Sequence, residues 1–316
     1  MDIKDKIKGV IFGQAIGDAL GLGSEFMSKD DVEYHYPDGL SDYSQIVQDS
    51  HRSRWKKGQW TDDTDMMLCI ADALITDGCI NLTTIASNFL RWFLDPNSCG
   101  IGRHTFTVLS DSDYLKDPHK VSEIIWLRSG KKSAANGALM RTSIIGVLQN
   151  DVAKAAEDVC KLTHYDPRCI CSCVIVSEII HQLVWNDKQL TYSEIKDIVK
   201  DKEYYDSRVI EYIDKAYNSL SIADLDLDES NSIGYTLKAL GCALWCLFHS
   251  ESFESGLLAV VNEGGDADTN AAIACSILGA KFGYNAIPNK YIDGIAHVLL
   301  DNIADNVYEV VSRGTV

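Results

Sequence analysis

Near the N-terminus the stretch IKGVIFGQAIGDALGLG sets Gly9, Gly13, Gly17 and Gly21 at intervals of four. In a helix, positions four apart lie on one face, so this face carries no side chains and another stretch of backbone can approach it closely. Each glycine costs ~1 kcal/mol relative to alanine in a helix interior. Four in one stripe therefore call for a compensating contact or a site. Tight packing accounts for the stripe but not for Asp18, a carboxylate set beside it.

The rest of the chain is helical in its periodicity. Apolar spacing predicts helices near 3–22, 62–76, 83–94, 137–149, 151–162, 168–185, 191–200, 207–219, 232–249, 253–262, 268–282 and 289–301. Asp77-Gly78 closes one of these, Thr83 opens the next, and Asp166-Pro167 supplies an N-cap and a first-turn proline. Convincing hairpin signals are absent, so the expected class is all-α. No linker composition and no repeat period divides the 316 residues, which points to one compact domain over 1–316.

Charge narrows the partners. With 46 acidic against 29 basic residues the net charge is −17, which repels phosphate backbones and anionic lipid unless a local patch or metal intervenes. General nucleic-acid binding is not expected. No run has the length of uncharged apolar sequence that a membrane helix needs, and the N-terminus lacks a leader pattern. The ten cysteines lie mostly in apolar helical patterns, as reduced core residues do, so a cytoplasmic, monomeric protein is expected. Cys169, Cys171 and Cys173 alternate by two, a spacing that splays thiols around a helix rather than gathering them on zinc.

Two acidic clusters stand far apart: GQWTDDTDMML, with Thr61, Asp62, Asp63 and Asp65, and NEGGDADTNAA, with Glu263, Asp266, Asp268 and Thr269. Each follows a glycine-containing turn and begins an apolar helix, where free N–H groups and the macrodipole favour negative charge. Capping needs one such residue per helix. Together the clusters supply at least six oxygen donors, a set suited to hard cations such as Mg²⁺, Mn²⁺ or Ca²⁺. An EF-hand is excluded because its sixth and twelfth positions fall on Ala271 and Ile277. The D-D-x-x-D pattern of prenyl-diphosphate synthases is not met by Asp62-Asp63-Thr64-Asp65.

Six ordered motifs, GQAIGDALGLGSEF (13–26), GQWTDDTDMML (58–68), GIGRHT (100–105), NGALMR (136–141), THYDPR (163–168) and EGGDADTNAAIACSILGAKFG (263–283), resemble the ADP-ribosylglycohydrolases. The resemblance implies an all-α domain around a two-metal centre, usually Mg²⁺ and sometimes Mn²⁺, that releases ADP-ribose from protein side chains. It implies Thr61, Asp62 and Asp63 as ligands on one side and Asp266, Asp268 and Thr269 on the other. Glu25 falls beside the metals and the scissile bond; had the first helix extended that far, seven residues would return it to the face of Asp18. Asp18, Gly102, His104, Asn136, Gly137, His164 and Gly265 are implied substrate contacts, with Tyr165 a further stacking candidate. Arg141 reads as a structural salt-bridge partner and Glu263 as a solvated helix-end charge.

One departure bears on mechanism. Many relatives carry an aspartate, a candidate general base, where this chain has Gly100. Glu25 or Asp63 then becomes the base. The expected partners are ADP-ribose and an ADP-ribosylated protein or small molecule, with arginine, serine, a nucleotide end or an acetyl ester as acceptor. The alternatives are a non-catalytic ADP-ribose-binding or crystallin-like relative, or a hydrolase of another nucleotide or glycoside on the same fold.

Overall fold

The glycine stripe is met by a single partner helix. In the computed structural model, which describes residues 2–314, the helices in chain order are α1 (Ile3–Gly21), α2 (Lys29–His35), α3 (Asp62–Asp77), α4 (Leu82–Leu94), α5 (Arg103–Leu109), α6 (Pro118–Arg128), α7 (Val152–Lys161), α8 (Pro167–Asn186), α9 (Tyr192–Asp197), α10 (Arg208–Asn218), α11 (Thr236–His249), α12 (Phe253–Val261), α13 (Ala267–Phe282), α14 (Asn289–Asp293) and α15 (His297–Val311). Among the described residues there is no strand, only an isolated bridge between Ala135 and Tyr235. The all-α expectation holds.

The pairing of α1 with α13 organises the molecule. A Cβ added at Gly13 would lie 2.1 Å from the carbonyl oxygen of Cys275, and one at Gly279 only 1.9 Å from that of Gly9. Gly9 faces Gly279 while Gly21 faces Ala267, so the two helices run antiparallel with their backbones touching. Both are buried along most of their length. The consequence is positional: the C-terminal end of α1 is delivered to the N-terminal end of α13.

α8 packs beside this pair and against α7 and α11. Contrary to the expectation from sequence, it is long and apolar enough to cross a bilayer, but most of it is buried inside the protein, as in a core helix. Its cysteines go separate ways. Cys169 Sγ meets the Ala135 carbonyl, Cys171 Sγ that of Tyr204, and Cys173 Sγ accepts from the Thr142 hydroxyl.

Three segments depart from the predicted helices. Residues 137–149 form two 3₁₀ segments, Leu139–Arg141 and Ser143–Val147, because Gly146 presses its backbone onto Ile180 of α8, where an added Cβ would lie 2.5 Å from the Ile180 side chain. Residues 289–301 are split by Gly294 and Ile295, and the second piece runs on to Val311. The cap of α4 is Asn81, whose side chain accepts from the backbone N–H groups of Thr83 and Thr84, so Thr83 lies inside the first turn.

Candidate metal centre and cavity

Three chain segments converge where α1 ends and α13 begins. Asp18, fully buried near the end of α1, accepts from the backbone N–H groups of Thr61 (2.9 Å) and Thr64 (3.0 Å) and from the Thr64 hydroxyl (2.6 Å). It thereby holds the N-terminus of α3 in place. Gln14, one turn earlier, donates its amide to the carbonyls of Asp63 (3.1 Å) and Met140 (2.9 Å), tying the NGALMR loop to the same point. Thr61 caps α3 by accepting from Asp63 N–H, while Asp65 turns away to the indole N–H groups of Trp60 and Trp92.

Glu25 reaches the site without the helix that sequence spacing would have given it. α1 stops at Gly21, and the chain then turns. Phe26 N–H donates to the Gly265 carbonyl (2.6 Å) and Gly265 N–H to that of Met27 (2.8 Å), which fastens Glu25 beside Asp266. Phe26 pays with a left-handed φ of 59°, an outlier for a bulky residue. The Glu25 carboxylate is bonded to His51 Nε2 at 2.6 Å.

The result is a concentration of buried acids. Carboxylate oxygens of Asp18, Asp63 and Asp268 lie within 4.8 Å of one another, as do those of Glu25, Asp266 and Asp268, so Asp268 belongs to both groups. Burial drives the carboxyl pKa of Asp18 up to about 7 against the pull of its three donors; it does the same for Asp266, with Glu25 adding repulsion. Asp62, Asp63 and Asp268 are pushed well above the usual range, by burial first and then by their acidic neighbours. Two buried oxygens, Asp63 Oδ2 and Asp268 Oδ1, have no hydrogen-bond partner among the described residues. Unpaired carboxylate oxygens in such a place are costly unless a cation meets them. The all-oxygen donor set fits hard divalent ions.

Above the acids opens a cavity of about 800 Å³. Asp62, Asp63, Asp266, Asp268, Thr269 and Glu25 line it, and so do Gly102, His104, Asn136, Gly137 and His164. Asn136 donates to Asp266 at 2.6 Å. Asp18, Thr61 and Gly265 are not among the lining residues. Asp18 and Thr61 sit beneath the wall, organising α3, and Gly265 serves the Phe26–Met27 turn. Tyr165 packs on Trp126 outside the cavity, Arg141 has no carboxylate partner among the described residues, and Glu263 is paired with Lys29.

At Gly100 φ is 102° and a Cβ would lie 2.3 Å from Asp62 Oδ1. An aspartate in the place of Gly100 would displace this backbone or the Asp62 carboxylate.

The cavity wall also includes Phe26, Arg103 and Arg128, which sequence reasoning did not single out. Phe26 stood in plain view in the GSEF motif. The two arginines are exposed and make no side-chain hydrogen bond or ion pair among the described residues; in a chain of net charge −17, unpaired guanidinium groups facing a cavity are informative.

The profile of the ADP-ribosylglycohydrolase family matches residues 1–315. The chain belongs to that family. As an ADP-ribosylglycohydrolase it is a hydrolase of glycosyl bonds, from a metal-dependent family. Similar proteins include one from Archaeoglobus fulgidus, 30% identical over 98% of both chains, and ADP-ribosylarginine hydrolase Tri1 of Serratia proteamaculans, 26% identical over 96% of this chain and 79% of that protein. ADP-ribosyl-[dinitrogen reductase] glycohydrolase of Rhodospirillum rubrum is 25% identical over 92% of this chain and 90% of its own. A solved ADP-ribosylglycohydrolase-related protein complex matches with a TM-score of 0.78 at 22% identity, covering 98% of this chain and 99% of that one, which shows the fold.

Proposed function

We propose that this ADP-ribosylglycohydrolase uses two Mg²⁺ ions, with Mn²⁺ as a substitute, to hydrolyse the bond between ADP-ribose and an arginine side chain. The observation that carries the reading is the pair of carboxylate groups sharing Asp268, with two orphaned oxygens, on the wall of the cavity. A relative that had lost catalysis would have no reason to keep buried acids that repel one another.

Asp18, Asp63 and Asp268 would hold one ion and Glu25, Asp266 and Asp268 the other, with Asp62 and Thr269 at their edge. Bound there, divalent ions supply positive charge that fixes ribose hydroxyls and acidifies a water. The chain's own residues do the rest. Asn136 fixes the orientation of Asp266, and the arginines on the wall, Arg103 and Arg128, face the diphosphate. In the reaction the C1–N bond of the distal ribose breaks, water oxygen bonds to C1, and the proton released goes to Glu25 and then to the departing guanidine. Both Glu25 and Asp63 line the cavity; Glu25 is the favoured acceptor because His51 fixes its carboxylate, whereas Asp63 accepts from the Thr269 hydroxyl.

The arginine acceptor is supported by the names of relatives and by Phe26. Its ring is 57% exposed on the cavity wall next to Glu25, and a planar guanidinium suits an aromatic face beside a carboxylate. The test is release of ADP-ribose from ADP-ribosyl-arginine and ADP-ribosyl-serine proteins, with Mg²⁺, Mn²⁺ or EDTA. Glu25→Gln should lower kcat by about 10²–10⁴. Turnover unaffected by EDTA, or confined to the serine adduct, sinks the reading.

A further inference from the structure

Arg141 is fully buried, yet no carboxylate faces it among the described residues. Its guanidinium lies 4.2 Å over the Phe89 ring, Nη1 meets Met66 sulfur at 3.6 Å, Nη2 donates to Thr163 Oγ1 at 2.6 Å, and Nε has no partner. A cation held this way is expensive for the fold. Something beyond packing keeps it there.

The hydrogen bonds lead from Arg141 to the cavity. A guanidinium can only donate, so Thr163 Oγ1 accepts from it. Thr163 is itself fully buried, and among the described residues the one other group bonded to its hydroxyl is His164 Nδ1, at 2.7 Å. If Nδ1 carried the proton, the threonine would accept twice and its own buried O–H would have nowhere to point, at the usual cost of an unmet donor. The hydroxyl therefore donates to Nδ1. A neutral imidazole that accepts at Nδ1 carries its hydrogen on Nε2, and Nε2 is the atom of His164 that is buried, lacks a partner and belongs to a residue of the cavity wall.

Thr163 orders a second ring as well. Its carbonyl accepts from His104 Nε2 at 3.0 Å, and His104 Nδ1 is bonded to the Ser133 hydroxyl at 2.8 Å. The two imidazoles lie 4.5 Å apart. Burial favours the neutral form of both, and at His164 the neighbouring His104 and Arg141 push in the same direction.

The geometry points to Arg141 and Thr163 as positioning residues that lock His164 in its neutral Nε2–H tautomer, so that one fixed donor meets an oxygen of the ligand's diphosphate. The ring lies against Gly137, whose added Cβ would stand 3.1 Å from His164 Cε1, so the donor and the NGALMR backbone share one part of the wall. Behind it the unneutralised Arg141 supplies positive potential, which an acidic protein needs in order to bind a nucleoside diphosphate sugar. The choice of ligand rests on the ADP-ribose reading; the tautomer does not.

The two parts are tested separately. In protein labelled with ¹⁵N-histidine, long-range ¹H–¹⁵N spectra of the wild type at neutral pH should show His164 neutral and protonated at Nε2. Thr163→Val should release the lock and populate the second tautomer, while Thr163→Ser should restore the wild-type pattern. By calorimetry, Thr163→Val should weaken ADP-ribose binding about tenfold, the loss of one hydrogen bond to a charged oxygen. If Thr163→Val does not fold, His164→Gln, which keeps a donor at the end of its side chain, should retain affinity that His164→Ala loses. A wild-type His164 protonated at Nδ1, or doubly protonated, overturns the lock. Intact tautomer control with no effect of Thr163→Val or His164→Ala on ADP-ribose binding overturns the role at the diphosphate, and leaves hydrolysis to be judged by its own assay.

Discussion

Stripped of divalent cations, the protein should lose stability as the pH rises, and Mg²⁺ should remove most of that loss. Asp18 and Asp266 titrate near 7 in the fold, against 3.8 for a free aspartate. Between those limits the folded chain keeps a proton on each that the unfolded chain has released. The native state binds more protons, so its stability falls with pH. Two such groups give a slope of about 3 kcal/mol per pH unit, or about 5 kcal/mol between pH 5 and 7, comparable with the whole stability of an ordinary domain. For these two the protonated contribution is complete below about pH 4 and is lost as pH passes through about 7; Asp62, Asp63 and Asp268, raised further, steepen the slope in the same window and carry the decline onward. Bound cations take over from protons as partners of the same oxygens, which should flatten the profile. The measurement is urea or thermal unfolding across this pH range in EDTA and in excess Mg²⁺. Asp268→Asn, which removes the carboxylate common to both groups, should reduce the slope in EDTA and abolish the response to Mg²⁺. A metal-free protein whose stability is flat or rises with pH would refute the reasoning.

Gly13→Ala should destabilise the fold by about 3 kcal/mol or more in thermal unfolding, because the new methyl meets the Cys275 backbone and not a movable side chain; a gain of stability would mean the two backbones do not touch. Phe26→Leu should raise KM for ADP-ribosyl-arginine severalfold, a loss of about 1 kcal/mol, with Phe26→Tyr close to wild type, and equal kinetics for all three would remove the ring from the acceptor site. Arg103→Gln and Arg128→Gln should each weaken ADP-ribose binding by about fivefold and lessen its dependence on salt, measured by calorimetry at two ionic strengths.

Much of the fold was legible because its central helices declare themselves twice, by apolar spacing and by punctuation. Asp166-Pro167 opens α8 as read, and Gly78, with φ of 69°, closes α3. The short helices α2, α5 and α6 escaped because few of their residues are buried and the apolar rhythm is weak. α6 nonetheless begins with Asp117-Pro118, the same signal that located α8, and the Ser28–Asp31 capping box announced α2. The 3₁₀ segments at Leu139–Arg141 and Ser143–Val147 were illegible, since their cause lies across the core at Ile180.

At the site, local pattern located the acids but not their division of labour. Asp62 and Asp63 are adjacent in sequence, yet only Asp63 joins a carboxylate group with Asp18 and Asp268. Asp18, expected as a contact for substrate, is buried and also anchors the start of α3 by accepting from the Thr61 and Thr64 backbone N–H groups. Arg141 looked like half of an ion pair; its partner is the Thr163 hydroxyl, a choice no spacing rule records.

The antiparallel contact of α1 with α13 has a kinetic meaning. The two halves of the carboxylate cluster are separated by most of the chain, Asp18 and Asp63 near its beginning and Asp268 near its end. Their meeting closes a loop of high contact order, the kind of step that slows folding more than it costs in stability. A ribosome-bound or truncated chain lacking α13 lacks Asp268 and cannot assemble either carboxylate group. Assembly of the carboxylate cluster during refolding thus reports the docking of one end of this chain on the other.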